Sequence, residues 1–304
     1  MEQSFTIDGL NSDFILGDLK GEIIDYIISS YRVNLNLIYL YFWHPKLRIH
    51  CQETYGGTGK EDFVTLHKIE KPGIYHAKFI LVTTKEMLKL IIMTTNITEN
   101  IVKECLNDYY VIKIPKCKLS RPTQFTMNLY QFLDAFNIKL KRGLLQYQWK
   151  GVKGKLLVSI PYKLSHSTCF KEQIKKPKKN YETEAEVSCS SMMSGFDIKK
   201  IFKVKTCKFY YSPENAQKGF GVIDIEHNMN KDKKENYEMI LRDENVNFHY
   251  KRYTIKYFNP KKKKLKQYLI ITSANLTRQA WGTNKKPSLN AELGIIWNSK
   301  KIFN

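Results

Sequence analysis

Two short stretches carry residue types suited to chemistry on a charged group. His76-Ala77-Lys78 opens the apolar run FILVTT, and His249-Tyr250-Lys251 opens RYTIKYF. An imidazole can act as nucleophile, acid or base near neutral pH, and an ammonium can hold an anion. Alternate side chains of a strand share a face, so each His and Lys would project together while the residue between them turns away. Each stretch leads through a second apolar run to an amide. Thr95-Asn96-Ile97-Thr98 closes the first set, and Ala274-Asn275-Leu276-Thr277 closes the second. Asn96 lies 20 positions after His76, and Asn275 lies 26 after His249. The longer interval contains the turn Lys261 to Lys264.

A lone H-x-K is nearly worthless as a signal, and the chain supplies its own control. His44-Pro45-Lys46 also matches, but Pro45 suits a turn and the position 20 residues on is Val64. His44 therefore reads as structural. The other two copies differ because each brings a strand pair and an Asn-[Ile/Leu]-Thr tail, the mark of an internal duplication at domain scale. Two such units about a pseudo-twofold axis would gather two His, two Lys and two Asn around one pocket. That set fits a phosphodiester. Lysines and amides neutralise the phosphate oxygens without a metal. One neutral imidazole can attack phosphorus, and a protonated one can serve the leaving oxygen and then the incoming water.

The rest of the sequence must position these groups. Its 304 residues suit one large or two ordinary domains, and 42% hydrophobic with 13% aromatic content marks a globular chain. Lys plus Arg number 50 against 29 Asp plus Glu, a net charge of +21 that favours a polyanionic partner. The six cysteines are scattered without a C-x-x-C pair, so neither a zinc ribbon nor any other metal site is expected. Cys189 reads as an ordinary thiol. The polar, acidic opening MEQSFTIDGLNSDF has no signal-peptide character, and runs such as LIYLYFW are too short to span a bilayer. A soluble, reducing compartment and no membrane partner are expected. Gly56-Gly57-Thr58-Gly59-Lys60 lacks the spacing of a phosphate-cradling loop and reads as a turn.

Periodicity predicts a helix over 18–33 and a strand over LNLIYLYFW. Paired strands are expected at 78–84 and 88–95, a helix at 125–136 and a buried strand at 154–162. The charged, Pro-interrupted stretch 163–186 reads as a surface loop or connector. Strands follow at 251–258, 267–273 and 291–297. Trp281 reads as core, and the lysines at 261–264 as a solvated turn. KKPKK at 175–179 reads as a basic linker or a nuclear import signal.

At the paired motifs the chain resembles the phospholipase D superfamily, and within it the tyrosyl-DNA phosphodiesterases that act on topoisomerase I adducts. The superfamily adds an acidic residue after H-x-K. Here Val82 and Ile255 stand four residues beyond each Lys, as in the tyrosyl-DNA branch, which has a downstream Asn instead. SANLTRQAWG (273–282) followed by AELGIIW (291–297) is close to that family's second-motif block. TQFTMNLYQFLDAF, VSCSSMMSGF and YSPENAQ resemble further segments in the family's order.

The resemblance implies an α/β fold of two pseudo-symmetric phospholipase-D-like domains, each a mixed β-sheet flanked by helices. The expected bounds are 1–163 and 164–304. It implies hydrolysis of 3′-phosphotyrosyl and related adducts at DNA 3′ ends, with no cofactor, by a monomer at work in the nucleus if the gene is cellular. His76 would be the nucleophile and His249 the general acid, then base. Lys78, Lys251, Asn96 and Asn275 would bind phosphate oxygens. Glu292 would hydrogen-bond His76 and fix its tautomer. Asn107 falls where the family has a Gln supporting the second His, with Asp108 as a rival. Ser190, Ser191 and Ser194 would contact the DNA backbone.

Two departures stand out. Pro72 occupies the position of the family's base-stacking aromatic, and Tyr75 is the candidate replacement. The chain also stops soon after AELGIIW, as in a compact version or a fragment. A general phospholipase-D-type nuclease or lipid phosphodiesterase, and a non-catalytic nucleic-acid-binding protein, are the competing readings.

Overall fold

The computed structural model describes residues 2–7, 12–57, 64–69, 73–99, 105–163, 170–174, 181–189, 202, 204–211, 237–241, 247–248, 251–275, 277–282 and 286–298. Among the described residues, sixteen strands fall into two sheets. The first is built from β1 (Glu2–Ile7), β2 (Ile23–Asn34), β3 (Leu47–Tyr55), β4 (Thr65–Lys68), β6 (Phe79–Thr84), β7 (Met87–Met93) and β8 (Cys105–Pro115). The second holds β5 (Ile74–Tyr75), β9 (Lys155–Ser159), β10 (Glu182–Cys189), β11 (Thr206–Tyr211), β12 (Tyr237–Leu241), β14 (Lys251–Asn259), β15 (Lys264–Thr272) and β16 (Asn290–Asn298). The short β13 (Asn247–Phe248) joins the first sheet.

The two sheets are built alike. The path β1-β8-β7-β6-β2-β3-β4 of the first matches β9-β16-β15-β14-β10-β11-β12 of the second. Strand directions agree at every step. For example, β2–β3 and β10–β11 are parallel, while β6–β7 and β14–β15 are antiparallel. The short strand before each H-x-K crosses over. β5 pairs in parallel with β16, and β13 pairs in parallel with β8. Each motif is thus anchored on the opposite sheet. β9 lies before the expected boundary at 163 yet pairs with β16, so the two units interleave in sequence.

The layers follow from burial on both faces. β6 is buried at every residue: Phe79 and Leu81 join a central core between the sheets, while Ile80 and Val82 face an outer one. The helix Gln124–Ala135 sits in the central core through Phe125, Leu129, Phe132 and Leu133, and its N-terminus is closed by the Thr123–Thr126 capping box. Trp281, in the short helix Arg278–Trp281, fills the outer core of the second sheet with Phe170, Phe202 and Tyr253. Among the described residues, no helix is long and apolar enough to cross a membrane.

Three local expectations are corrected. Residues 23–34 form a central strand, not a helix. Both faces of β2 are buried, which erases the period of two, and its buried polar residues Asp25 and Ser29 imitate a helical stripe. LNLIYLYFW is helical, not a strand: a turn at Leu35–Leu37, capped by Asn34, runs into a π-helical turn at Ile38–Phe42. Leu35, Leu37, Ile38 and Phe42 are buried while Tyr39, Leu40 and Trp43 are exposed, so apolar residues surround the helix and mask its periodicity. The stretch 163–186 is not all loop. Phe170–Gln173 is helical and β10 begins at Glu182. The buried Gln173 side chain bonds both backbone groups of Val158, as a neighbouring strand would. The KKPKK segment lies outside the described residues.

Candidate active site

The crossover strands bring the first motif to the second sheet. β5 is in register with β16 through Tyr75 and Ala291, and the His76 N–H donates to the Ala291 carbonyl at 2.9 Å. The next residue of β16, Glu292, then meets the His76 side chain. Imidazole Nδ1 lies 3.0 Å from both carboxylate oxygens. Glu292 is fully buried, and the His76 side chain keeps 16% exposure. Ser273 Oγ donates to Glu292 Oε2 at 2.5 Å and Asn290 Nδ2 to Oε1 at 3.1 Å. The carboxylate is therefore held on both sides, and its acceptor role fixes the His76 tautomer as Nδ1–H. Nε2 is left with its lone pair.

The electrostatics agree with that tautomer. Burial pushes the His76 imidazole below its ordinary 6.5; Glu292 opposes this, while Lys78 and Lys251 reinforce it. Burial pushes the Glu292 carboxyl up, but His76, Lys78 and the Ser273 hydrogen bond outweigh it and hold it below its ordinary value. At neutral pH the pair is a neutral imidazole on a carboxylate. Lys78 is fully buried, and burial with the nearby Lys251 takes its ammonium well below 10.5.

The remaining expected residues distribute as follows. Ala77 turns into the central core, as the alternation requires. Lys78 Nζ donates to the His76 carbonyl at 2.8 Å. Lys251, also fully buried, reaches across to the Thr94 carbonyl at 2.8 Å. Asn96 follows β7 and accepts from Ser30 Oγ at 3.2 Å. Asn275 follows β15, and its carbonyl accepts from the indole N–H of the buried Trp281 at 2.9 Å. Trp281 is core, as expected, and it also fixes the peptide of Asn275.

Asn107 is buried one residue beyond Leu106, the register partner of Phe248. This is the place that Glu292 holds after Ala291 in the other sheet. Asp108 is fully buried, and both of its carboxylate oxygens are taken by Arg252. Tyr75 is corrected: it is 2% exposed, its hydroxyl bonds Ser29, and no ring face is open to a base. His249, Ser190, Ser191 and Ser194 lie outside the described residues. His44 is structural in the expected way, its Nδ1 accepting from the Lys46 N–H at 3.1 Å.

Three further neighbours complete the surroundings: Ser273 and Asn290 on Glu292, and Tyr31, whose ring lies 5.8 Å from that of His76. Ser273 begins the SANLT block and Asn290 shares a strand face with Glu292, so both carried a signal. Tyr31 lies on β2, where burial of both faces hides its position from a sequence pattern.

Among the described residues no group of three or more His, Cys, Asp or Glu could hold a metal. Two sheets of like topology thus meet where His76, Glu292, Lys78 and Lys251 interact. The family model of tyrosyl-DNA phosphodiesterase matches residues 24–194 and 205–304, and the chain belongs to that family. Among solved structures, a mutant of the yeast tyrosyl-DNA phosphodiesterase superposes with a TM-score of 0.76 at 15% identity, covering 100% of this chain and 89% of that one. A second structure of the yeast protein gives 0.74 at 15%, with 99% and 91% covered. The polyphosphate kinase of Porphyromonas gingivalis gives 0.55 at 9%, with 97% and 47% covered. At these identities the likeness concerns the fold. Comparison with curated proteins gives no significant match.

Proposed function

We propose that this chain is a DNA 3′-end-processing phosphodiesterase that hydrolyses 3′-phosphotyrosyl and related adducts through a phosphohistidine. The observation that carries the reading is the His76–Glu292 pair beside Lys78 and Lys251. It gives an imidazole free at Nε2, kept neutral, next to two buried lysines. In the first step Nε2 attacks phosphorus and the bond to the tyrosyl oxygen breaks. His249 gives that oxygen its proton. Lys78, Lys251, Asn96 and Asn275 hold the phosphoryl oxygens as charge builds on them. His249 then takes a proton from water, the hydroxide attacks phosphorus, and the P–N bond to His76 breaks. DNA leaves with a 3′-phosphate, and both histidines return to their starting states.

The same reading assigns Asn107 to the support of His249, and Ser190, Ser191 and Ser194 to the DNA backbone. It divides the chain near 163/164, with β9 and β13 each crossing to the other unit's sheet, into two units that build one site within a single monomer. No step requires a metal, and nuclear DNA is the substrate if the gene is cellular. The test is release of tyrosine from a 3′-phosphotyrosyl oligonucleotide in excess EDTA. Turnover is the expected result, and folded protein that releases nothing would overturn the proposal.

A further inference from the structure

The pair of buried Asp108 and half-buried Arg252 belongs to neither motif, and it bridges the two sheets. Arg252 follows Lys251 on β14, while Asp108 lies on β8. The guanidinium holds the carboxylate through two bonds, one of them Nε to Oδ2 at 3.1 Å. Asp108 has no exposure and Arg252 keeps 33%. The backbone beside them closes a ring. Asp108 N–H donates to Thr94 Oγ1 at 3.1 Å, Thr94 N–H donates to the Asp108 carbonyl at 3.2 Å, and Lys251 Nζ donates to the Thr94 carbonyl at 2.8 Å. The ring runs from Lys251 through Thr94, Asp108 and Arg252 back to Lys251.

The other half has the same backbone arrangement without the charges. Ser273 N–H donates to the Leu293 carbonyl at 3.0 Å, and Leu293 N–H donates to Ser273 Oγ at 3.1 Å. Leu293 therefore stands where Asp108 does, and Phe79, the residue after Lys78, stands where Arg252 does. Both are fully buried in the central core. Packing alone satisfies this position in one half, so an ion pair is not required by the fold. An ion pair held through two bonds to a buried carboxylate fixes direction, which apolar contact does not.

We propose that Asp108 and Arg252 are positioning residues that aim the Lys251 ammonium at the phosphoryl group. The inference rests on the phosphodiesterase reading of the site. It places no substrate contact on Asp108 itself. Loss of the pair would free β14 to shift against β8 and carry Lys251 with it.

The opposite half supplies the control. The double variant Asp108→Leu/Arg252→Phe copies Leu293 and Phe79, removes both charges and leaves neither partner buried alone. The expected result is a melting temperature close to that of the wild type and kcat on the 3′-phosphotyrosyl oligonucleotide lower by about tenfold to a hundredfold. KM changes less than threefold, and inhibition by orthovanadate, which imitates the five-coordinate phosphorus, weakens in step with kcat. Arg252→Lys keeps a cation and recovers part of the loss. If the double variant fails to fold, Arg252→Lys and Arg252→Met are compared. The charged replacement must retain more kcat and tighter vanadate binding. Wild-type kcat in a folded double variant, or equal losses for Lys and Met, overturns the positioning role. Absence of turnover in the wild type instead overturns the phosphodiesterase reading.

Discussion

The two halves of this protein share a frame and differ in what they mount on it. β5 reaches the second sheet and β13 reaches the first, with matching register and matching hydrogen bonds around Thr94 and Ser273. At the position after the crossover pair, however, the second sheet offers the carboxylate of Glu292 and the first offers the amide of Asn107. A carboxylate holds Nδ1–H strongly and makes the imidazole it faces a better nucleophile; an amide does so without charge. On the proposed reading, this acid-to-amide difference divides the labour between the two histidines.

The comparison breaks most visibly at the nucleophile. His76→Ala should lower turnover by roughly 10⁴-fold or more, as removal of other enzymatic nucleophiles does, measured as tyrosine release under saturating substrate. Next in size is the pair of supporting residues. Glu292→Gln should cost about 10²- to 10⁴-fold, by analogy with other buried carboxylates that fix a catalytic tautomer. Asn107→Ala should cost only about tenfold to a hundredfold. Equal losses would erase the asymmetry argued above.

The pH profile sharpens the same point. Nucleophilic His76 must be neutral, and its imidazole titrates below 6.5, so kcat/KM should hold down to that pH and fall only at lower pH. Glu292 raises the His76 value, so the residual activity of Glu292→Gln should show an acid limb displaced to still lower pH. At the other end Lys78 must be protonated, and its value well below 10.5 puts the alkaline limb below 10.5 as well. An acid limb above 6.5 would contradict the neutral-imidazole assignment. Ser273→Ala removes one of the bonds that orient Glu292 and should lower kcat by about tenfold, seen in steady-state rates. The smallest effect belongs to the third H-x-K. His44→Ala should leave kcat within twofold and cost about 0.5–1.5 kcal/mol of stability by denaturant titration, the worth of one local hydrogen bond.

Much of the site was legible because its chemistry is local in sequence. His76, Lys78 and Ala77 obey strand alternation, and the strand pair that returns Asn96 is a simple hairpin. Glu292 could be named only through resemblance, since 216 residues separate it from His76 and no local pattern joins them. The errors fell where burial hides periodicity. β2 is buried on both faces and lost its alternation, and the helical turn at 35–42 is apolar all round and lost its stripe. Tyr31 disappeared with the first of these, and Gln173 with the charged stretch around it. The exchange of β5 and β13 between sheets could not be read at all, because strands of two residues carry no period.

The central claim is that His76 forms the covalent bond to phosphorus and His249 does not. Its most direct measurement is a rapid quench of the His249→Ala variant on 3′-phosphotyrosyl oligonucleotide, followed by proteolysis under alkaline conditions and mass spectrometry of the acid-labile adduct. The account predicts an oligonucleotide joined to the peptide that contains His76, with release slowed in this variant and no adduct in His76→Ala. An adduct elsewhere in the chain, or a fully active wild-type enzyme that never accumulates one in the variant, would contradict it.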